Sequence, residues 1–166
     1  MREYMIRCAY KSDVPEIARI FINSWRNSYR GILPDDFLNF MTLEGSTSKW
    51  QDYIGFKQHR IFLPVRDGEI LGFCAVKKDE SVENCMYIDS LHIRKEEQNK
   101  GIGTALILHS LEYARNNGYS QASITALCGN DGAKSLYERL GAVFYKHFIE
   151  PVGNVSAESD MLVFKL

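Results

Sequence analysis

The chain of 166 residues is short of most features that would give it a special class. It has no apolar run near the roughly eighteen or more residues of a membrane span, and no repeat or low-complexity tract. Its four cysteines, Cys8, Cys74, Cys85 and Cys128, are scattered and form no C-x-x-C pair, which excludes a ribbon-type zinc site and a dithiol redox motif. The first residues, Met-Arg-Glu-Tyr, are not an apolar leader, so a reducing cytoplasm is the expected location. His59, His92, His109 and His147 show no metal-ligand spacing among themselves or with cysteine, and no metal is expected. Twenty basic residues against 21 acidic ones leave a formal charge of -1, so neither nucleic acid nor an anionic membrane is expected as a partner.

What is present suits one domain over residues 1–166, with 45% hydrophobic and 25% charged residues. Residues 5–8 read as a strand. Ser12 or Asp13 then caps a helix with apolar positions Val14, Ile17, Ala18, Phe21, Trp25 and Tyr29 at helical spacing. Gly31 and Pro34 stop it, and residues 35–41 and 46–56 read as two further helices. Strands over 61–65 and 70–76 are joined by Asp67-Gly68, a strong hairpin signal. A strand over 84–93, a helix over 101–117 closed by Gly118, and a strand over 120–127 form a crossover unit. Its right-handed form sets the two strands parallel and adjacent. A helix over 131–140 follows, then strands over 143–149 and 161–165 with residues 151–154 in the loop between them. The fold class is therefore α/β, an α+β mixture with a mixed sheet flanked by helices.

Gln98-Asn99-Lys100-Gly101-Ile102-Gly103 lies between the strand over 84–93 and the helix that follows. Glycines there let the chain turn sharply and aim successive N–H groups at an anion, and the helix dipole adds attraction. A dinucleotide fingerprint would need glycine at 106, which is Leu106. A P-loop needs a Gly-Lys pair, and the chain has none. The remaining pattern, Q-x-x-G-x-G, resembles the coenzyme signature Q/R-x-x-G-x-G/A of the GNAT (GCN5-related N-acetyltransferase) family. About thirty residues on, Asn130, Ala133, Tyr137 and Gly141 match a second family signature, N-x-x-A-x-x-x-Y-x-x-x-G-F, with Ala142 in place of the aromatic.

The resemblance implies the acyl-coenzyme A N-acyltransferase fold, a central, mostly antiparallel mixed sheet in which one parallel strand pair splays apart. It implies acetyl-coenzyme A as co-substrate, no metal, and transfer of the acetyl group to a primary amine by direct attack in a ternary complex. Coenzyme contacts would come from Leu91, His92 and Ile93 on the strand end, from Gln98, Asn99, Lys100, Gly101, Ile102, Gly103 and Thr104 in the loop, and from Asn130, Ala133 and Tyr137. Tyr137 would protonate the departing thiolate. Asp89, two residues before Leu91 and so nominally on the same face, is the first candidate for the base. Glu83, Glu96 and Glu97 are weaker, the last two expected at the surface. Trp25 and Tyr29, beside Gly31-Ile32-Leu33-Pro34, would wall the acceptor site. The acceptor is a small-molecule amine or the amine of a peptide or protein, and the protein is a monomer or homodimer. Two rivals are a coenzyme-binding sensor without turnover and a module for another diphosphate.

Overall fold

In the computed structural model, which describes residues 3–166, the elements run β1 (Met5–Cys8), α1 (Val14–Ser28), α2 (Asp35–Phe40), α3 (Leu43–Gly55), β2 (Arg60–Arg66), β3 (Glu69–Ile70), β4 (Gly72–Lys78), β5 (Cys85–Ile93), α4 (Ile102–Asn116), β6 (Gln121–Leu127), α5 (Asp131–Arg139), β7 (Val143–Val152) and β8 (Val155–Lys165). They build one mixed sheet of order β1-β2-β4-β5-β6-β8-β7, with β3 paired to β2. Among the described residues the parallel pair is β5 with β6, and every other pairing is antiparallel.

Local chemistry shifts several boundaries from the pattern-based expectation. Asp13 does not cap α1 through its side chain. Its carboxylate instead accepts the Tyr10 N–H at 2.7 Å and pairs with Arg7 at 2.9 Å, locking a 3-10 turn ahead of the helix. Helix α3 starts at Leu43 rather than 46 because the Thr42 hydroxyl accepts the Gly45 N–H at 3.0 Å. The hairpin turn is as expected, with Asp67 and Gly68 both left-handed (φ 50° and 81°). The strand after it is broken at Leu71, whose N–H reaches Pro64 O at 2.9 Å.

The final hairpin is longer than its composition suggests. Strands β7 and β8 pair from Val143↔Val163 to Val152↔Val155, so Pro151 lies in a strand opposite Ser156 and only Gly153 and Asn154 turn the chain. Proline is tolerated there because β7 is the sheet edge. Residues 156–160, Ser-Ala-Glu-Ser-Asp, are weak strand formers that look like loop. They are held extended by pairing with β7 along the whole segment and with β6 as well at Ser159 and Asp160.

Helices cover both faces of the sheet. On one, Leu106, Ile107 and Leu111 of α4 pack on Phe62, Val76, Ile88, Ile124 and Phe164. On the other, Ile17 and Phe21 of α1 and Trp50 of α3 pack on Leu63, Phe73 and Ala75. Trp50, wholly buried, meets Phe73 and Phe21 edge-on at centroid distances of 4.9 and 5.4 Å. Such pairs are worth about 0.5–1.5 kcal/mol each beyond the area they bury.

Two departures from regular pairing open the site. Strands β5 and β6 pair only from Cys85↔Gln121 to Ile88↔Ile124. Beyond that point β5 follows β4 as far as Ile93↔Gly72, β6 follows β8 as far as Leu127↔Ser159, and the sheet splits between them. At the split β5 carries a bulge, since Val76 pairs with Ile88 and Ala75 with Ser90, leaving Asp89 without a partner on β4.

Candidate active site

A cavity of about 570 Å³ lies along the lower lip of the split. The 93–103 segment shapes it through backbone conformation. Asn99 (φ 60°) and Gly101 (φ 83°) are left-handed, and Gly101 is the N-cap of α4. The first intrahelical bond runs from Ala105 N–H to Gly101 O at 3.0 Å, so helix geometry leaves the N–H groups of Ile102, Gly103 and Thr104 without an intrahelical acceptor. All three residues line the cavity, together with Gln98, Asn99 and Gly101. Gln98 also donates to Ile93 O at 3.2 Å, which fastens the loop to the end of β5. The positive end of a fifteen-residue helix thus faces an open groove, an arrangement that attracts phosphate.

Lys100 does not line this cavity. Its side chain turns to Glu97, Nζ to Oε2 at 3.4 Å, so any role in holding phosphate falls to its main chain. Glu97 is not at the surface as expected. It is buried beneath the loop, and Arg66 donates to both of its oxygens. Those hydrogen bonds hold its carboxyl below the usual carboxylate range and tie the loop to the end of β2.

The β5 rim contributes Leu91, His92 and Ile93, and the facing wall contributes Asn130, Ala133, Leu136 and Tyr137. Asn130 is the N-cap of α5, and Ala133 and Tyr137 follow at helical spacing. His92 is buried, with Nδ1 2.7 Å from the Ser24 hydroxyl and its ring edge-on to Phe21. Burial, reinforced by Lys49, pushes its pKa down to about 3, so the imidazole is neutral at ordinary pH. Tyr137 is 7% exposed, and burial pushes its phenol well above the ordinary value, so it stays protonated.

A second cavity, of about 420 Å³, lies on the α1/α3 side and shares Tyr29, Leu91, His92 and Tyr137 with the first. Its walls are Phe21, Trp25, Tyr29 and Phe37, with Trp25 and Tyr29 edge-on at 4.8 Å. Both residues expected at an acceptor wall are therefore in it. Polar groups enter from helix α3, as Lys49, and from four strands, as Tyr87, Asp89, Thr125, Glu150 and Ser159. The Tyr87 and Thr125 hydroxyls meet at 2.9 Å across the split, and Ser159 donates to Glu150 at 2.9 Å. Burial, with Glu150 nearby, pushes the Tyr29 phenol up to about 12. Burial lowers the pKa of Lys49, partly offset by Asp89.

Asp89 corrects the expectation that it shares a face with Leu91. The bulge breaks the two-residue alternation, so Leu91 packs toward α4 while Asp89 turns to the other side, 3.8 Å from Lys77 Nζ. Glu150 and Lys49 were not foreseen. Glu150 precedes Pro151 in a segment that reads as a strand end, and Lys49 lies on a helix whose apolar stripe gives no sign of what its polar side faces.

The sequence model described as the acetyltransferase (GNAT) family matches residues 19–142, a span that contains both glycine-bearing signatures. The uncharacterized N-acetyltransferase YuaI of Bacillus subtilis is 26% identical over 120 residues, 69% of this chain and 66% of that protein. Mycothiol acetyltransferase of Streptomyces coelicolor is 34% identical over 97 residues, 58% of this chain but 29% of that protein, so the match reaches less than two thirds of either relative's length. The crystal structure of PaiA N-acetyltransferase from Thermoplasma acidophilum, in complex with coenzyme A, shares the fold with a TM-score of 0.79 at 18% identity, covering 99% of this chain and 100% of that one. Signatures, fold and family match agree, and the chain belongs to the acetyltransferase (GNAT) family.

Proposed function

We propose that the protein transfers an acetyl group from acetyl-coenzyme A to a primary amine by direct attack within a ternary complex. The observation that carries this reading is the meeting of two cavities at Tyr29, Leu91, His92 and Tyr137, one headed by a helix N-terminus and the other by carboxylates and aromatic rings. The N–H groups at the start of α4 and the cap of α5 at Asn130 bind the diphosphate end of the coenzyme. The β5 edge at 91–93, freed from β6 by the split, offers main-chain hydrogen bonds to an amide-bearing arm and an N–H to polarise a thioester carbonyl. Acetyl-coenzyme A supplies an activated acyl group with a thiolate leaving group. Tyr137, protonated and at the junction, gives that thiolate a proton. An alkyl ammonium with a pKa of about 10 must lose a proton before attack, and Asp89 takes it. The acceptor cavity, at about 420 Å³, suits a small amine or one terminal residue of a peptide.

Thiol release from acetyl-coenzyme A across a panel of amines tests the proposal. Turnover with one amine class, lowered about a hundredfold or more in Tyr137→Phe, is the expected result. Coenzyme A at a hundredfold excess over Kd should stabilise the fold by about 2.7 kcal/mol, and Gly101→Asp should abolish that shift. Coenzyme binding with no turnover on any amine would favour a sensor, and no stabilisation by coenzyme A would refute coenzyme recognition itself.

A further inference from the structure

Away from both cavities, the sheet brings Cys128, His147 and Asp160 together. They belong to three neighbouring segments. Cys128 directly follows β6 and its N–H donates to Glu158 O at 2.9 Å on β8, while His147 on β7 is the cross-strand partner of Asp160 on β8. Their donor atoms all lie within 4.8 Å of one another. The thiol Sγ is 3.8 Å from His147 Nδ1 and 4.0 Å from Asp160 Oδ1, and Nδ1 donates to Oδ1 at 2.8 Å. The second oxygen of Asp160 accepts from Lys134 Nζ at 2.9 Å, so the carboxylate is held with Oδ1 turned toward the other two groups.

A relay from thiol through imidazole to carboxylate would need both ring nitrogens, one for each neighbour. Here sulfur and carboxylate both approach Nδ1, which does not build a nucleophile. The same convergence suits a shared ion. Bonds of about 2.3 Å to sulfur and about 2.0–2.1 Å to nitrogen and oxygen around a tetrahedral ion give S···N and S···O edges of about 3.5 Å and an N···O edge of about 3.4 Å. The three separations in the protein reach those edges with shifts of about half an ångström. His147 and Cys128 are not buried, so an ion can enter from solvent.

We propose that Cys128, His147 and Asp160 form a binding site for a borderline-soft divalent cation of the zinc type. One thiolate, one imidazole and one carboxylate select zinc over magnesium or calcium, which take oxygen donors. On binding, the thiol gives its proton to solvent, the imidazole gives up the Nδ1 proton it shared with Asp160 and carries its proton on Nε2, so that the Nδ1 lone pair faces the ion, and Asp160 contributes Oδ1 while Lys134 retains Oδ2. Water fills the fourth position. The ion would clamp the exit of β6 to the terminal hairpin, two residues before Asn130. Neither the arrangement nor its test depends on the acetyltransferase reading.

Untagged full-length protein titrated with Zn²⁺ against a chromophoric chelator, and with Co²⁺ followed by absorption, tests the site. The expected result is one ion per chain with a thiolate-to-cobalt charge-transfer band. Cys128→Ser should remove the band and weaken binding beyond the tenfold to about hundredfold loss typical of outer-shell changes. His147→Gln should weaken it as much, and Cys8→Ser, an exposed thiol on β1, should change nothing. Absence of stoichiometric binding, a band that survives Cys128→Ser, or an affinity in Cys128→Ser or His147→Gln equal to that of the parent would overturn the proposal. Circular dichroism of both variants separates lost binding from lost fold.

Discussion

Replacing Gly72 by alanine should loosen the protein and its hold on coenzyme together. Gly72 opens β4 and pairs with Ile93, where the added Cβ would stand 2.5 Å from His92 O, 2.9 Å from Ile93 Cδ1 and 3.0 Å from Ile93 Cα. Two of these three atoms are backbone, so no rotamer change relieves them, and the end of β5 has to move. Forced repacking of this kind costs about 1–3 kcal/mol, less about 0.4–1 kcal/mol gained from a stiffer unfolded chain. At about 2–4 °C per kcal/mol for a protein of this size, a net loss of about 1.5 kcal/mol lowers Tm by about 3–6 °C. The displaced atoms belong to the cavity rim at 91–93, so the stabilisation by coenzyme A should shrink as well. Gly103→Ala is the control. Its Cβ would meet nothing closer than 4.0 Å, its φ is not left-handed, and alanine favours a helix. Calorimetry with and without coenzyme A should show a lower, less responsive transition for Gly72→Ala and an unchanged or raised one for Gly103→Ala. A Gly72→Ala melting point at or above that of the parent would refute the reasoning.

Asp89→Asn should lower kcat by about a hundredfold or more while leaving the Kd for coenzyme A unchanged; a loss confined to Glu150→Gln would instead assign proton removal to the other carboxylate of the acceptor cavity. At Gly101 a methyl has open space but the wrong φ, so Gly101→Ala should cost about 1–2 kcal/mol of backbone strain, read by chemical denaturation, with Gly101→Asn losing less. His92 predicts an acid limb. Its folded pKa of about 3 lies below the ordinary 6.5, so its contribution is complete above pH 6.5 and is lost as pH falls toward 3. The loss is up to about 1.4 kcal/mol per pH unit. Unfolding free energies of His92→Gln should decline less steeply over that interval, and parallel curves would refute the assignment.

The parts of this molecule that depend on contiguous residues were legible in the sequence: the turn at Asp67-Gly68, the glycine loop entering α4, and the Asn130, Ala133, Tyr137 series on α5. The parts that depend on register were not. A bulge is one extra residue in a pairing that sequence does not display, so the side to which Asp89 turns could not be read from its distance to Leu91. Glu97 looks solvated in a Lys-Glu-Glu run, and its burial follows from Arg66, which lies about thirty residues earlier. Residues 156–160 are poor strand formers and are extended because β7 pairs with all of them and β6 with the last two. Gly72 falls inside the strand expected over 70–76, and nothing in the sequence shows that His92 O lies against it.

The two cavities share Tyr29, Leu91, His92 and Tyr137, and every other residue that lines either one belongs to it alone. Under the proposed reaction, coenzyme and acceptor in separate cavities would be free to arrive in either order and their products to leave in either order. Initial-rate plots at varied concentrations of both should intersect, and a dead-end analogue of the acceptor should leave the entry of acetyl-coenzyme A unhindered. A strictly compulsory order would mean that one mouth forms only after the other is filled.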